Sequence, residues 1–331
     1  MKKYRTGIVI LILLSITAGI IFFTQNKSSI KKDLRDFAVE DTSSIDKIFM
    51  VDKTNQQVLL ERINGVWMVN GKYAARKDAI DILLKTINRI DVKSPVPNSA
   101  FENVVKSLAT LSTKVEIYQN NELTKTYYVG GATRDNQGTY MMLEDSSTPF
   151  IVTIQGFNGY LSTRYFLDEV LWRNTTIFNY RFEDIASITL EHPMEPEKSF
   201  KITRVDENNY VLEKFKENII ANFDTIRAKE YFSYYKRINF EALIPNMEKK
   251  KQDSLNAATP KYIFTVEEVS GIKKQFKAYL RKGNGLISES GKPFEYDPDK
   301  MYGVFENGEF TLIQYHVFDP LLKEYNDFIQ K

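Results

Sequence analysis

The sequence predicts an α+β protein made of two tandem, related units of antiparallel sheet with packed helices, preceded by one N-terminal transmembrane helix. Three observations carry that expectation. Residues Thr6 to Asn26 are uncharged and mostly apolar, whereas the rest of the chain is polar and mixed in charge. Strand-like alternation surrounds one apolar helical stripe, and this happens twice along the chain. Short motifs also recur 148 residues apart: Arg89-Ile90 with Arg237-Ile238, Pro97-Asn98 with Pro245-Asn246, and Val115-Glu116-Ile117 with Ile263-Phe264-Thr265.

The chain opens with a short basic tail, residues 1–5, carrying Lys2, Lys3 and Arg5. Residues 6–26 follow as the anchor, and a helix of that length reaches about 31 Å, enough for a bilayer's hydrocarbon core. The apolar run from Ile8 to Phe23 exceeds a signal-peptide core, and Phe22-Phe23-Thr24-Gln25-Asn26-Lys27 has no small-x-small cleavage pattern, so retention is expected and cleavage is the alternative. With no cysteine, the lipoprotein route is closed. Lys27, Lys31, Lys32 and Arg35 balance the basic tail, so charge counting does not orient the segment. Long domains translocate largely regardless of charge, which places the N-terminus inside the cytoplasmic membrane and the bulk of the chain in the periplasm or outside. Residues 27–41 read as a stalk.

Beyond the stalk about 290 residues remain, sufficient for two domains with a core each. A hydrophobic content of 43% favours folded over disordered structure. The 45 basic and 43 acidic residues nearly cancel, and three of the basic ones sit in the tail, which argues against nucleic acid as a partner. The 19 tyrosines and 22 phenylalanines fall in alternating settings such as Thr126-Tyr127-Tyr128-Val129, as sheet packing requires; a carbohydrate- or peptide-stacking platform is the sharper alternative.

The first unit, residues 42–179, opens with a strand at Ile45–Val51. A hairpin joins Val58–Arg62 to Val66–Val69 through Asn64-Gly65, a pair suited to a tight turn with positive φ. Ile80, Leu83, Leu84, Ile87 and Ile90 then form one helical stripe. Strands follow at Val115–Ile117 and Thr139–Leu143, with a hairpin at Asn120-Asn121. Leu161–Asp168 reads as a connecting helix leading through Trp172 to Phe178, with the boundary near Asn179. Its apolar residues predict units that pack together rather than swing on a linker.

The second unit, residues 180–331, repeats the order. It has a strand at Ile185–Leu190, then Phe200–Arg204 and Tyr210–Leu212 about Asn208-Asn209. The stripe of Ala228, Tyr231, Phe232, Tyr235 and Ile238 comes next, followed by a hairpin at Ser270-Gly271 and a late strand at Met301–Phe305.

In Ile45-Asp46-Lys47-Ile48, Val66-Trp67-Met68-Val69, the stripe-bearing helix, and Tyr127-Tyr128-Val129-Gly130 before Gly138-Thr139-Tyr140-Met141, the chain resembles the domain-of-unknown-function family 4340 (DUF4340), best over residues 45 to about 200. The resemblance transfers no catalytic residue. Related domains occur in membrane-anchored bacterial proteins, including auxiliary subunits of gliding-motility ABC transporters in Bacteroidetes. It therefore implies an envelope or transporter-associated role and no particular activity.

Candidate chemistry is sparse. The two histidines, His192 and His316, would need carboxylates such as Glu191 or Asp319 to hold a metal, and ordinary structural roles explain them better. Cysteine nucleophiles are absent, and no Gly-x-Ser-x-Gly elbow is present. Gly130-Gly131-Ala132-Thr133 and Gly283-Asn284-Gly285 match neither a Walker nor a dinucleotide pattern and read as loops. Tyr296-Asp297-Pro298-Asp299-Lys300 lacks the spaced acids of a calcium loop and reads as a proline turn. Glu248-Lys249-Lys250-Lys251-Gln252-Asp253 reads as a solvated loop. No catalytic, cofactor-binding or metal-ligating residue is assigned, and no cofactor is expected. The expected function is a non-catalytic, membrane-anchored extracytoplasmic binding or scaffold protein, with the membrane and envelope or transporter subunits as partners. The alternative is an envelope hydrolase, carboxylate-based or metal-assisted, acting on glycans or peptides; nothing selects a carboxylate pair.

Overall fold

The computed structural model describes residues 35–214, 219–220, 223–283 and 285–329. The expected tail and anchor, residues 1–26, lie outside the described residues, as does most of the stalk. Among the described residues no helix is long and apolar enough to cross a membrane. The chain divides into two compact units, 1–174 and 175–331.

In the first unit, strands β1 (Ile45–Val51), β2 (Gln57–Ile63), β3 (Val66–Val69) and β4 (Tyr73–Ala74) precede helix α1 (Lys77–Arg89). Strand β5 (Ile90–Pro95), helix α2 (Asn98–Leu111) and strands β6 (Thr113–Gln119), β7 (Glu122–Ala132), β8 (Thr139–Leu143) and β9 (Phe150–Ile154) follow, with a short helix α3 (Glu169–Trp172) at the end. The strands form one sheet in the order β4-β3-β2-β1-β6-β7-β8-β9-β5. Its turns are set by residue type: Asn64 and Gly65 have φ of 50° and 82°, and Asn120 and Asn121 have 53° and 68°, the left-handed pairs that two-residue hairpins need.

The sheet is covered on both faces. Ile80, Leu83 and Ile87 of α1 join Ile48, Leu60, Tyr127 and Val152 in the main core. Residues that alternate with these point the other way, so Tyr128, Tyr140 and Ile151 meet Val104 and Leu108 of α2. That second helix was not anticipated from the sequence, because only Val104 and Leu108 are buried along its 14 residues. The close approach is permitted by Gly130, where a Cβ would lie 2.7 Å from Leu108 Cδ2 and 3.0 Å from the Tyr140 carbonyl oxygen. Gly130-Gly131 therefore belongs to a strand under a helix, not to a loop.

The end of the expected stalk is part of this core. Phe37 stands edge-on to Tyr127 and Phe150, at 6.1 and 6.2 Å between centroids, and the Lys125 ammonium donates to the carbonyls of Asp36 and Ala38 at 2.7 and 2.8 Å. The folded unit thus starts before residue 42, since Phe37 and Val39 have apolar surface to bury.

The second unit contains β10 (Thr176–Phe178), β11 (Ile185–Glu191), β12 (Phe200–Arg204), β13 (Tyr210–Lys214), β14 (Ile219–Ile220) and helix α4 (Thr225–Ser233). Next come β15 (Ile238–Asn239), β16 (Ala242–Leu243), helix α5 (Lys249–Ala257), β17 (Tyr262–Glu268), β18 (Lys273–Lys282), β19 (Tyr296–Phe305), β20 (Phe310–Gln314) and helix α6 (Tyr315–Phe318). Its large sheet runs β14-β13-β12-β11-β17-β18-β19-β20-β16, the order of the first sheet strand for strand. Both sheets also carry the same irregularity, a register shift between Ile45 and Lys47 and between Ile185 and Ser187.

Four expectations are corrected here. Thr176–Phe178 pairs with Ile238–Asn239, and Phe178 sits in the second core, so the division falls after Asn174 rather than near Asn179. Leu161–Asp168 is not a helix: a 3-10 turn at Ser162–Arg164 and α3 flank an extended stretch. The lysine run at 248–253 opens α5, whose Leu255 packs with Tyr279, Val304 and Phe310 on the sheet's second face. Finally, the 148-residue spacing fails by one at the central strand. Lys47 pairs with Tyr118 and Ser187 with Glu267, so buried Val115 and Ile117 correspond to buried Phe264 and Val266, not to Ile263 and Thr265. A one-residue slip would otherwise turn that strand inside out.

Candidate binding groove

Helix α1 and the segment that follows β9 enclose a cavity of about 720 Å³ in the first unit. The chain turns sharply after Ile154, where the Phe157 amide donates to the Ile154 carbonyl at 3.0 Å, and Gly156 supplies the φ of +77° that the turn demands. This turn presents Phe157 to the groove. Ile82 on α1 and Leu171 on α3 complete an apolar floor; the three side chains are 50%, 37% and 47% exposed for Ile82, Phe157 and Leu171.

The rim is basic. Arg76, Lys85, Arg89 and Arg164 line the cavity, and among the described residues its lining contains no aspartate or glutamate. Arg164 is fixed by donating to Thr86 Oγ1 at 2.8 Å, with its guanidinium 4.3 Å from the Phe157 ring centroid. Thr86 in turn donates to the Ile82 carbonyl at 2.7 Å, so a buried hydroxyl ties the arginine to the helix. Arg89 reaches the Gln155 carbonyl at 3.4 Å, and Arg76 forms a two-point pair with Asp78 at 2.7 and 3.2 Å. That pair holds the Asp78 carboxyl below its ordinary range, chiefly through the Arg76 hydrogen bond.

The second unit carries the same groove in a different state. The Arg76 amide donates to the Trp172 carbonyl at 2.7 Å, and the Asp224 amide donates to the Phe328 carbonyl at 2.8 Å, fixing the two helix entries alike. Buried Leu161 and Tyr165 after β9 match buried Leu321 and Tyr325 after β20. The chain from Tyr325 to Phe328 is shorter than that from Tyr165 to Trp172, and the second cavity is about 210 Å³. Glu230 stands where the first unit has Ile82, and it accepts from Tyr234 at 2.7 Å. Arg227 is engaged by Asp224 at 3.3 Å and by the Asp327 carbonyl at 2.9 Å. Charge in the second groove is therefore matched from within.

The sequence profile of a family described as a domain of unknown function (DUF4340) matches residues 67–260. The chain belongs to the DUF4340 family. The DUF4340 match runs from β3 into the second unit as far as residue 260, rather than from residue 45 to about 200. No curated protein and no solved structure matches the chain significantly.

In this DUF4340 protein the residues singled out from sequence are dispersed. His192 is 4% exposed; its Nε2 lies 2.9 Å from the Lys323 carbonyl and its ring is edge-on to Tyr262 at 5.2 Å. Burial pushes its pKa down, which fits a neutral ring donating to that carbonyl. His316 is exposed on α6. Among the described residues no three His, Cys, Asp or Glu side chains gather to hold a metal. Asp297 is buried against Arg281 at 3.1 Å and accepts from the amides of Asp299 and Lys300, so Tyr296–Lys300 begins β19 rather than forming a separate proline turn. None of these residues lines the groove. The sequence signal for it was available but weak: Ile82 interrupts the polar face of an amphipathic helix, and Lys85 and Arg89 lie one and two turns beyond it.

Proposed function

We propose that this DUF4340 protein is a non-catalytic binding or scaffold subunit of a cell-envelope or ABC-transporter-associated assembly, tethered by residues 6–26 with its folded units outside the cytoplasmic membrane. The observation that carries the reading is the wet apolar floor of the first groove under a rim of four cations. Covering Ile82, Phe157 and Leu171 recovers part of the ~1.5–3 kcal/mol that full burial of each such side chain contributes. A lining with no carboxylate among the described residues supports recognition in this groove over hydrolysis by paired acids there. The uncharged, mostly apolar stretch from Ile8 to Phe23 supports the tether.

Affinity isolation of the full-length protein from mildly solubilised native membranes tests the assembly role, against a control carrying only residues 1–40. Stoichiometric recovery of envelope or transporter subunits is expected; recovery of the protein alone overturns the reading. Orientation is tested with Lys106→Cys, an exposed position on α2 in a chain otherwise free of cysteine. Labelling by a membrane-impermeant maleimide in intact cells is expected, and protection until lysis reverses the topology.

A further inference from the structure

We infer that the first-unit groove takes an extended peptide segment of a partner protein in which apolar side chains alternate with acidic ones. The inference rests on the binding role proposed above and names the chemistry of the occupant.

Three features of the groove select this class. Its basic residues are distributed: Arg76 precedes α1 and Arg89 ends it, so the rim extends about 20 Å along the helix at 1.5 Å per residue. A single carboxylate or phosphate headgroup spans only part of such a rim, at one end of which Arg76 is shared with the exposed Asp78. Anions spaced along a chain match all of it, and about six residues of extended peptide cover that length at 3.3 Å each. Second, the apolar floor lies between the cations rather than beyond them, with Ile82 one turn from Lys85 and Phe157 stacked under Arg164. An occupant must therefore interleave apolar and acidic groups. Third, the duplicated fold supplies an internal comparison. Where the second unit has Glu230, Asp327 and a cavity of about 210 Å³, the first has Ile82, no acid among the described residues of its lining, and about 720 Å³. The second unit answers its groove cations with acids in the same lining, whereas in the first only Arg76 is paired, with Asp78 beside the groove, and Lys85, Arg89 and Arg164 meet no acid among the described lining residues.

The test uses the full-length chain in phosphatidylcholine nanodiscs and a fluorescein-labelled nonapeptide that alternates aspartate with leucine and phenylalanine. Binding is followed by fluorescence anisotropy. The expected result is saturable binding that weakens with added salt, is at least tenfold weaker for the peptide with asparagine at each aspartate, and is at least tenfold weaker in the Lys85→Glu/Arg89→Glu variant. Both substituted positions are exposed, and an unchanged circular-dichroism melt verifies that the variant folds. Equal binding of the acidic and amide peptides, or of wild type and variant, overturns the inference. Stoichiometric displacement of the peptide by dodecanoate also overturns it, in favour of a single-headed amphiphile. The affinity isolation is repeated with the same variant. If partners are recovered equally with wild type and variant, the groove inference falls and the scaffold role stands; if neither recovers partners, the scaffold role itself falls.

Discussion

His192 and Glu195 lie side by side in the loop after β11, and the loop is clamped to the end of the chain by short polar contacts. His192 meets the Lys323 carbonyl, Glu195 pairs with Lys198 at 2.6 Å and Lys261 at 2.7 Å, and Lys198 continues to Glu324 at 2.8 Å. Hydrogen bonds from Lys198 and Lys261 lower the Glu195 pKa to about 2, so its contribution to stability is present above the ordinary glutamate pKa and is lost as pH falls toward 2. Burial lowers the His192 pKa, so the folded state favours the neutral ring and its contribution declines below the unfolded value near 6.5. Melting temperatures measured from pH 8 to pH 2.5 are expected to fall in both windows. His192→Gln flattens the decline below about pH 6.5, and Glu195→Gln flattens the one below about pH 4.5. A decline unchanged in the variants contradicts this assignment. A histidine next to an acid in sequence suggested metal chemistry; only the fold reveals that its partner is a backbone carbonyl far along the chain.

At the scale of elements, legibility followed how much of each segment is buried. The α1 stripe was readable because Ile80, Leu83 and Ile87 are all in the core, and the first unit's hairpins at Asn64-Gly65 and Asn120-Asn121 were readable because these pairs accept positive φ. Helices α2 and α5 escaped notice because two buried residues and one, respectively, make no periodic stripe. The position of α2 depends instead on a gap in the sheet beneath, at Gly130. Gly130→Val is expected to destabilise the protein by roughly 1–3 kcal/mol through overpacking against Leu108 and the Tyr140 carbonyl, read from urea unfolding. Gly130→Ala combined with Leu108→Ala is expected to cost less than the sum of the two single changes, because each makes room for the other. Additive costs would mean that α2 does not bear on β7 as described.

Across the whole molecule, duplication was legible as repeated motifs, but the divergence that gives the groove its character was not. It depends on which repeat keeps a longer chain between its buried tyrosine and the aromatic that docks on the helix entry. It also depends on one position of a helix face, Ile82 against Glu230. Grafting the second unit's face onto the first is the sharpest check. By the helix register, Ile82→Glu and Lys85→Ser reproduce Glu230 and Ser233 at exposed sites. Surface changes of this kind are expected to leave unfolding free energy within about 0.5 kcal/mol. Binding of the acidic peptide should nevertheless fall at least tenfold, since a carboxylate then replaces the centre of the apolar floor and one of the four cations is gone. The reciprocal Glu230→Ile is expected to create no binding, because the second groove stays narrow and Arg227 stays engaged by Asp224 and the Asp327 carbonyl. If Glu230→Ile alone confers binding, groove width is irrelevant and the helix face is sufficient; if the double graft leaves binding intact, the cations of the first unit act elsewhere than in this groove.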